Sequence, residues 1–314
     1  MAPRPCSKPS TSSEVVTALV LPRRRPRRPR AMLVTAAVFV PPAVLLFTLF
    51  VVVPMGEAAR YSFYNWNGYG VPKAFIGVKN YLQLFANATF RQAALNNLLI
   101  IVASIGIQLP LALGMALLLA RREIGSVAFR MIFFLPYILA DVAAGLIFRF
   151  IFDGDYGPVS SLAQQLGFGP LYMLAAPGTA FTALIIVIVW KYFGFHMMLY
   201  IAGLQGIDRS LYEAATMDGA KARQRFWHVT LPQLAPMLKL SVFFSIIGAL
   251  QLFDMVIPLT GGGPFDQTHT MVSFLYSFGM GRMRIGFGSA VGVVLFAVSV
   301  LFAFGYQRLL MRHE

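Results

Sequence analysis

The chain has 314 residues, of which 58% are hydrophobic and only 12% are charged. Ordinary soluble domains carry about 25% charged residues, so the composition predicts a membrane protein. A net charge of +14 would favour nucleic-acid binding in a soluble domain. Here the positive charges lie in short loops and tails between apolar segments, which argues against a nucleic-acid partner. The single cysteine, Cys6, excludes an intrachain disulfide and a cysteine metal cluster, and we expect no metal site.

Residues 1–30 are rich in Pro, Ser, Thr and Arg and end in RRRPRRPR. Such a segment cannot bury an apolar core, so we expect a basic, disordered tail. The next segment, Met32–Gly56, has 25 residues without a charge, longer than the ~7–15 apolar residues of a secretory signal. We therefore expect an uncleaved signal anchor that forms the first membrane span. A cleaved signal peptide and RNA binding by the arginines are the alternatives.

Five further segments are long enough for the ~20 apolar residues that a bilayer requires. They lie at about 93–120, 128–151, 179–203, 236–255 and 286–307. The sequence therefore predicts an all-α membrane protein in which residues 31–314 form one domain of six transmembrane helices. Eighteen of the 26 lysine and arginine residues lie in four regions. These regions are the N-terminal tail, the loops after the second and fourth spans with the adjoining span ends, and the C-terminus. This bias predicts that both termini are cytoplasmic.

A polar, basic segment between the fourth and fifth spans reads YEAATMDGAKARQRFWHVTLPQLAP, residues 212–236. Its pattern predicts two short helices at an angle. Gly219 is expected to end the first helix, because glycine tolerates a positive φ. Phe226 and Trp227 begin a second apolar face, and Thr230 is the expected N-cap of the next helix, with Pro232 in its first turn. An amphipathic loop that lies on lipid headgroups is the alternative.

This segment resembles the EAA loop of ABC importer permeases. The resemblance rests on EAA at 213–215, DGA at 218–220, Phe226, Val229, LP at 231–232 and Pro236, with their spacings kept. In that family the loop is the coupling helix that docks into a cleft of the ATP-hydrolysing subunit. The resemblance therefore implies a coupling loop over 205–236. The implied coupling residues are Glu213, Ala214, Ala215, Asp218, Gly219, Phe226 and Trp227. A pair between Arg209 and Glu213, four residues apart, is expected to shape the loop.

Three further stretches resemble the carbohydrate-uptake subgroup of the same family. FIGVKNY at 75–81 is similar to its FxGxxNY element, and LFDMVIPLTGGGPFDQTHTMVSFLY at 252–276 is similar to its FD…LTGGGP…T…Y signature. Residues 133–167 resemble its third helix and the following external loop, although Ser160 and Ser161 stand where many members have Asn. The glycines at 261–263 predict a tight turn, and no phosphate-binding loop motif is present in the chain.

The resemblance implies the six-helix fold of type I ABC importers (MetI-like), of the kind found in maltose-transporter permeases. It also implies a second homologous permease subunit, an ATPase subunit dimer and an extracytoplasmic solute-binding protein in the bacterial cytoplasmic membrane. The implied solute is a sugar, an oligosaccharide or a related polyol. The sequence contains no catalytic constellation. We therefore expect no enzymatic activity and no cofactor in this chain, with ATP and Mg²⁺ held by the partner.

Ionisable residues at membrane depth are costly and mark functional or paired sites. Asp141, Lys191 and Asp254 are such residues, and with Tyr192 and Gln251 they are candidates for a polar path that binds sugar hydroxyls. An ion pair between Asp141 and Lys191 that holds two helices together is the structural alternative. For His196, also at membrane depth, a hydrogen bond between helices is the favoured interpretation.

Three other functions stay open at this point. A secondary transporter would use Asp141, Lys191 and Asp254 as an ion relay, which leaves the EAA-like loop unexplained. A membrane scaffold that only binds partners would move no solute. An ABC permease for peptides or inorganic anions would keep the loop but not the LTGGGP-type signature.

Overall fold

The computed structural model describes residues 29–120 and 125–310. The predicted basic tail, residues 1–30, lies outside the described residues except for its last two positions, and so do Arg121 and Arg122. Disorder of the tail therefore stays a prediction. The described chain divides into two units, one ending at Pro54 and one beginning at Met55. The helix of the first unit comprises α1 (Pro29–Phe47), a π turn (Thr48–Val52) and the start of α2 (Val53–Tyr61).

The second unit is helical apart from one short hairpin of β1 (Tyr64–Asn65) and β2 (Ala74–Phe75). Its helices follow in chain order: α3 (Lys79–Ala86), α4 (Ala88–Ala103), α5 (Leu109–Leu119), α6 (Ser126–Ile138), α7 (Asp141–Ile151), α8 (Pro158–Gln165), α9 (Pro177–Gln205), α10 (Arg209–Met217), α11 (Ala222–Arg225), α12 (Leu231–Gln251), α13 (Val256–Thr260), α14 (Met271–Phe274) and α15 (Ile285–Leu310). Further π turns lie at Ser104–Gln108, Phe226–Thr230 and Leu275–Met280.

Within the described residues, five helices are long and apolar enough to cross a membrane: Ala37–Tyr61, Ala88–Leu119, Pro177–Gln205, Ala222–Gln251 and Ile285–Arg308. A sixth span is present if α6 and α7 count as one. The predicted spans are thus found, but the third differs from the prediction. One helix was expected over 128–151, and the chain instead forms two helices bent by 96°, with Leu139 and Ala140 in extended conformations between them.

Three of the π turns end two residues before a proline, at Pro54, Pro110 and Pro232. A proline in a helix lacks an N–H, and its ring collides with the carbonyl four residues earlier. In the last of these turns the amide of Leu231 donates to the carbonyl of Phe226, five residues back. This wider turn makes room for the ring, and the helix continues through the proline.

The hairpin is fixed to the ends of the neighbouring helices. Asn80, from the FxGxxNY-like element, is buried, and its Nδ2 donates to the carbonyl oxygens of Ser62 and Tyr64 at 2.8 and 3.0 Å. The amide of Gly286, at the start of α15, donates to the carbonyl of Trp66 at 2.9 Å. The element therefore has a structural role in which its asparagine holds the connection to the first span.

The fourth span, α9, is the most buried of the five long spans and contacts α5, α6, α7, α12 and α13. Two of the three clusters of buried side chains include its residues. One cluster contains Leu184 with Met255, and the other contains Met197 with Leu234. The third cluster surrounds Phe274 and joins α4, α14 and α15. Side chains on α9 are therefore held by packing on several sides.

Gly194 lies in the middle of α9 at its crossing with α6. A Cβ atom here would overlap the carbonyl oxygen of Phe133. We expect Gly194→Ala to lower the unfolding free energy by about 1–3 kcal/mol through overpacking. Gly178→Ala in the same helix is the matched control, because no other atom lies within 4 Å of the added carbon. Thermal unfolding in detergent compares the two variants, and equal midpoints would contradict the close crossing.

Candidate functional site

The first helix of the EAA-like loop, α10, has a defined beginning and end. The Asp208 carboxylate accepts a hydrogen bond from the Ser210 amide at 3.0 Å, and this bonding lowers the pKa of the carboxyl group. Gly219 has a φ of 76°, as predicted. The amide of Ala220 then donates to the carbonyl of Ala215 at 2.9 Å, which completes a Schellman turn. The glycine therefore sets the angle at which the chain leaves α10.

The second helix of the loop begins at α11 and continues through its π turn into α12, the fifth span. The prediction that Thr230 caps a new helix is wrong, because the π turn accommodates Pro232 and the helix does not restart. The Thr230 hydroxyl instead lies 3.0 Å from the hydroxyl of Tyr212. Arg225 donates to the hydroxyl of Thr216 at 2.9 Å. Both bonds hold α10 against the end of the fifth span.

The predicted coupling residues lie at the surface of this loop. Glu213, Ala214, Asp218 and Gly219 are exposed, whereas Ala215 and Phe226 are half-buried. The ring of Trp227 stands edge-on against that of Phe226, with 5.6 Å between their centroids. Trp227 is 54% exposed and Met217 is 90% exposed. Both of these large apolar side chains are therefore open to solvent on the EAA-like loop.

The predicted pair between Arg209 and Glu213 is not formed. Both side chains are exposed, and neither has an ion-pair partner in the part of the chain that the structure describes. Arg placed before Glu is the less favourable order on a helix, and water competes well for exposed charges. The shape of the loop depends on the bonds of Arg225 and Tyr212 instead.

The broken third span is organised around Lys191 of α9. This lysine is only 2% exposed, and its Nζ lies 3.0 Å from the Asp141 carboxylate. The same Nζ donates to the carbonyl oxygen of Pro136 at 3.3 Å and to that of Leu139. The structural alternative for Asp141 and Lys191 is therefore formed, with two backbone carbonyls added to it.

This arrangement satisfies both half-helices at the break. The last turn of α6 leaves carbonyls without helical partners and carries a partial negative charge. The lysine ammonium binds two carbonyls at this end, those of Pro136 and Leu139, and the Pro136 carbonyl also accepts from the Leu139 amide. Asp141 is the first residue of α7, where a negative charge interacts favourably with the helix dipole. The break is thus stabilised within the membrane by one cation and one anion.

Tyr192 joins the same group, because its hydroxyl donates to the Asp141 carboxylate at 3.0 Å. Asp141 is 31% exposed and lines an open cavity of about 490 Å³ with Tyr137, Lys191 and Tyr192. Asp254 lies within electrostatic range of the tyrosine. The structure therefore brings together Asp141, Lys191 and Tyr192, with Asp254 nearby.

Two of the predicted path residues have other positions than expected. The fifth span was predicted to extend to 255, but α12 ends at Gln251 because Leu252 is extended. Asp254 consequently lies in the turn before α13 rather than in the helix, and it is exposed. Gln251 is also exposed. It lines neither the cavity beside Asp141 nor the second cavity, which lies between α4, α9 and α12.

A second cavity of about 470 Å³ lies between α4, α9 and α12, in a mostly apolar lining that includes Tyr192. Three of its polar residues were not predicted from the sequence: Ser104, Gln108 and Ser245. His196 also lines it and makes the expected contact between helices, with Nε2 3.4 Å from the Ser245 hydroxyl. The Oε1 atom of Gln108 and the Nδ1 atom of His196 are buried and make no hydrogen bond within the described chain. Ser104 and Gln108, four residues apart in an apolar span, share one helix face, and this spacing could have indicated a polar site.

The LTGGGP-like segment forms the predicted turn. Gly261 has a φ of 63° and ends α13, and the ring of His269 occupies the space where Gly262 lacks a side chain. Burial lowers the pKa of that imidazole. Asn96 of the second span donates to the carbonyl oxygens of Gln267 and His269 at 2.7 and 2.8 Å. This long-range attachment had no local signal in the sequence.

Ser160 lies in the loop region where the resemblance implies an Asn, and it makes hydrogen bonds of its own. Its hydroxyl donates to the carbonyl of Gly154 at 2.6 Å and accepts from the amide of Leu171 at 3.1 Å. The side chain is fully buried. Serine thus ties together the two sides of the loop after the third span.

The chain has several apolar spans and a cavity with some polar lining between them. Its polar loop is held by hydrogen bonds to the fifth span and continues into it. Together these features define a membrane transport subunit. Residues 108–313 match the family described as the binding-protein-dependent transport system inner membrane component. The chain belongs to this family. It is a permease subunit of the ABC importer type and not itself an enzyme.

Several relatives match nearly the whole chain. A sulfoquinovosyl glycerol transport system permease protein of Agrobacterium fabrum is 35% identical over 276 residues, covering 88% of this chain and 90% of the relative. A trehalose/maltose transport system permease protein of Thermococcus litoralis is 31% identical over 271 residues, covering 85% and 90%.

The fold also matches solved structures. A crystal structure of a bacterial ABC transporter involved in the import of the acidic polysaccharide alginate contains a chain with a TM-score of 0.80 and 22% identity, covering 91% of this chain and 97% of that chain. A second structure shows a bacterial alginate ABC transporter in complex with alginate pentasaccharide-bound periplasmic protein, with a TM-score of 0.76, 23% identity and 89% and 94% coverage. These likenesses establish the fold.

Removal of Lys191 tests its role at the break. Lys191→Met leaves Asp141 and two carbonyls without their cation, and we expect a loss of about 2–4 kcal/mol in unfolding free energy. Asp141→Asn in the same background removes the unpaired charge, so the double variant should recover part of that loss. Thermal unfolding in detergent compares the unaltered protein, Lys191→Met, Asp141→Asn and the double variant, and gives the coupling energy between the two positions. Strictly additive effects would contradict a direct pair.

Proposed function

We propose that this permease carries a sugar, an oligosaccharide or a related polyol across the bacterial cytoplasmic membrane. The relatives described above are named as permeases for such solutes. The chain also carries the LTGGGP-like turn, which is attached to Asn96. Hydroxyl, amide and imidazole groups at the cavity between α4, α9 and α12 suit the hydroxyls of a carbohydrate.

The EAA-like loop is the proposed contact with an ATPase subunit dimer. The observation that carries this assignment is the unbroken helix from the exposed loop into the fifth span, together with the two bonds that fix α10 to it. The ATPases would bind ATP and Mg²⁺, and the exposed Met217 and Trp227 would enter an apolar cleft on their surface. Movement of that cleft would displace the loop and the fifth span together.

Tyr192, Asp141 and Asp254 are the proposed path residues from the original set, joined by Gln108, His196 and Ser245. Lys191 acts on the path indirectly, because its ammonium group is already bound by one carboxylate and two carbonyls. It keeps Asp141 and the break in position. Gln251 is not included in this path, because it lines neither cavity within this chain.

The remaining partners follow from the family. We propose a second, homologous permease subunit beside the spans and an extracytoplasmic solute-binding protein that delivers the sugar. Many apolar side chains of the spans are exposed in this single chain, which suits contact with lipid and with such a subunit. Both termini and the EAA-like loop face the cytoplasm in this arrangement, as the distribution of basic residues predicts.

The coupling assignment is tested at Gly219. An aspartate here meets no neighbour within 4 Å but is strained at a φ of 76°, so it changes the exit from α10 without disturbing the spans. We expect Gly219→Asp to insert normally and to lower ATP-driven uptake at least tenfold. Uptake of labelled di- and trisaccharides is measured in cells whose own copy is replaced by the variant.

Gly167→Asp is the matched control. Gly167 has a φ of 84° and also has no neighbour within 4 Å of an added carbon. It lies in the loop after α8, which the predicted topology places on the opposite side of the membrane from the EAA-like loop. Its uptake should stay near that of the unaltered protein. Normal uptake by Gly219→Asp, at equal membrane levels, would count decisively against the coupling role.

A further inference from the structure

A small polar cleft of about 170 Å³ lies where the hairpin, α3 and the start of α15 meet. Lys79 and Arg284 both line it, together with the side chain of Gln83. None of the residues that line the cleft is acidic. Neither cation has a carboxylate within ion-pair distance in the described part of the chain. The transport assignment uses none of these residues.

Arg284 is held in one orientation. Its guanidinium donates to Oε1 of Gln83 at 3.1 Å and lies over the ring of Phe287, 4.6 Å from its centroid. Its own amide donates to the carbonyl of Gly279 at 2.7 Å. A guanidinium fixed in this way loses little side-chain entropy when an anion binds to it. The cleft is therefore a pre-organised cationic site.

The helix that supplies Lys79 has three distinct faces. Asn80 and Leu84 are buried against the protein. Lys79 and Gln83, four residues apart, line the cleft. The third face exposes Val78, Leu82 and Phe85 at 58%, 66% and 56%. The last three residues follow the spacing of one helical stripe.

This apolar stripe indicates what surrounds the cleft. Phe75 of β2, three residues before Val78 in the chain, is also exposed, at 67%. Such an amphipathic helix lies at a membrane interface with its apolar face among the acyl chains. α3 leads directly into the second span, and Arg284 directly precedes α15, the sixth span. The cleft therefore sits at the ends of two spans, at the depth of the lipid headgroups.

We propose that this cleft binds the phosphate headgroup of an anionic phospholipid, with the acyl chains on the stripe of Val78, Leu82 and Phe85. Arg284 supplies planar donors to the phosphate oxygens, Lys79 supplies a second charge, and apolar contact holds the chains. This site is separate from the solute path, and its assignment does not depend on which solute the protein carries.

The test uses the full chain, purified with whatever subunits accompany it, and stripped of lipid in a neutral detergent. Phosphatidylglycerol and phosphatidylcholine with the same acyl chains are added, and bound lipid is counted by native mass spectrometry. We expect phosphatidylglycerol to be retained preferentially. The double variant Lys79→Gln, Arg284→Gln should weaken its binding roughly 30-fold, the size expected from two interfacial charges.

A matched control removes the same charge elsewhere. Lys73→Gln with Arg91→Gln changes two exposed cations that do not line the cleft, and lipid retention should not change. Arg284→Lys in an otherwise unaltered chain keeps the charge and should retain most of the binding. Normal membrane levels of Lys73→Gln with Arg91→Gln would also show that the fold tolerates charge removal in this region.

Three results would overturn the proposal. Equal loss of lipid in both double variants would mean that net charge, and not the cleft, attracts the lipid. Occupation of the cleft by inorganic phosphate with no added affinity for phosphatidylglycerol would mean a free-anion site. Unchanged lipid binding in Lys79→Gln, Arg284→Gln together with lost capture of a soluble partner protein would mean a protein-docking surface.

Discussion

A helix that breaks inside a bilayer exposes carbonyl groups that lipid cannot satisfy, and in this chain one buried lysine donates to two of them. Lys191 binds two carbonyls at the end of α6 and the carboxylate that begins α7. Because α9 holds this lysine among buried side chains, the fourth span fixes the bend of the third. Tyr137 and Tyr192 line both larger cavities beside that bend. The shape of the proposed path therefore depends on an ion pair that does not itself need to touch the solute.

The connection from the EAA-like loop to the membrane depends on a second local device. Pro232 would end an ordinary helix, yet the π turn before it keeps α11 and α12 continuous. The loop and the fifth span can then move as one element, while Tyr212 and Arg225 carry α10 with them. A flexible joint at this place would absorb the displacement that an ATPase produces. The exposed apolar residues at the end of the loop are where such a displacement would be applied.

Hydrophobic length predicted the spans, because a bilayer imposes it on any helix that crosses it. The helix end at Gly219 was also predictable, since glycine readily adopts a positive φ. The break at Leu139 and Ala140 was not, because the apolar run over 128–151 has the same composition whether it is straight or bent. Asn96 and Ser160 likewise depend on partners far away in the fold or across a loop. Thr230 failed as a cap for a related reason: a threonine before Leu-Pro marks a helix start only if the chain enters it from a non-helical conformation.

We propose that this permease works with a separate ATPase that its EAA-like loop engages. The most direct measurement is affinity purification of the chain in mild detergent, with mass spectrometry of every protein that accompanies it. We expect an ATPase with a phosphate-binding loop and a second permease that carries an EAA-type loop to be recovered with the chain. Recovery of the chain alone, stable and monodisperse, together with uptake that an uncoupler abolishes, would contradict it and favour an ion-driven transporter.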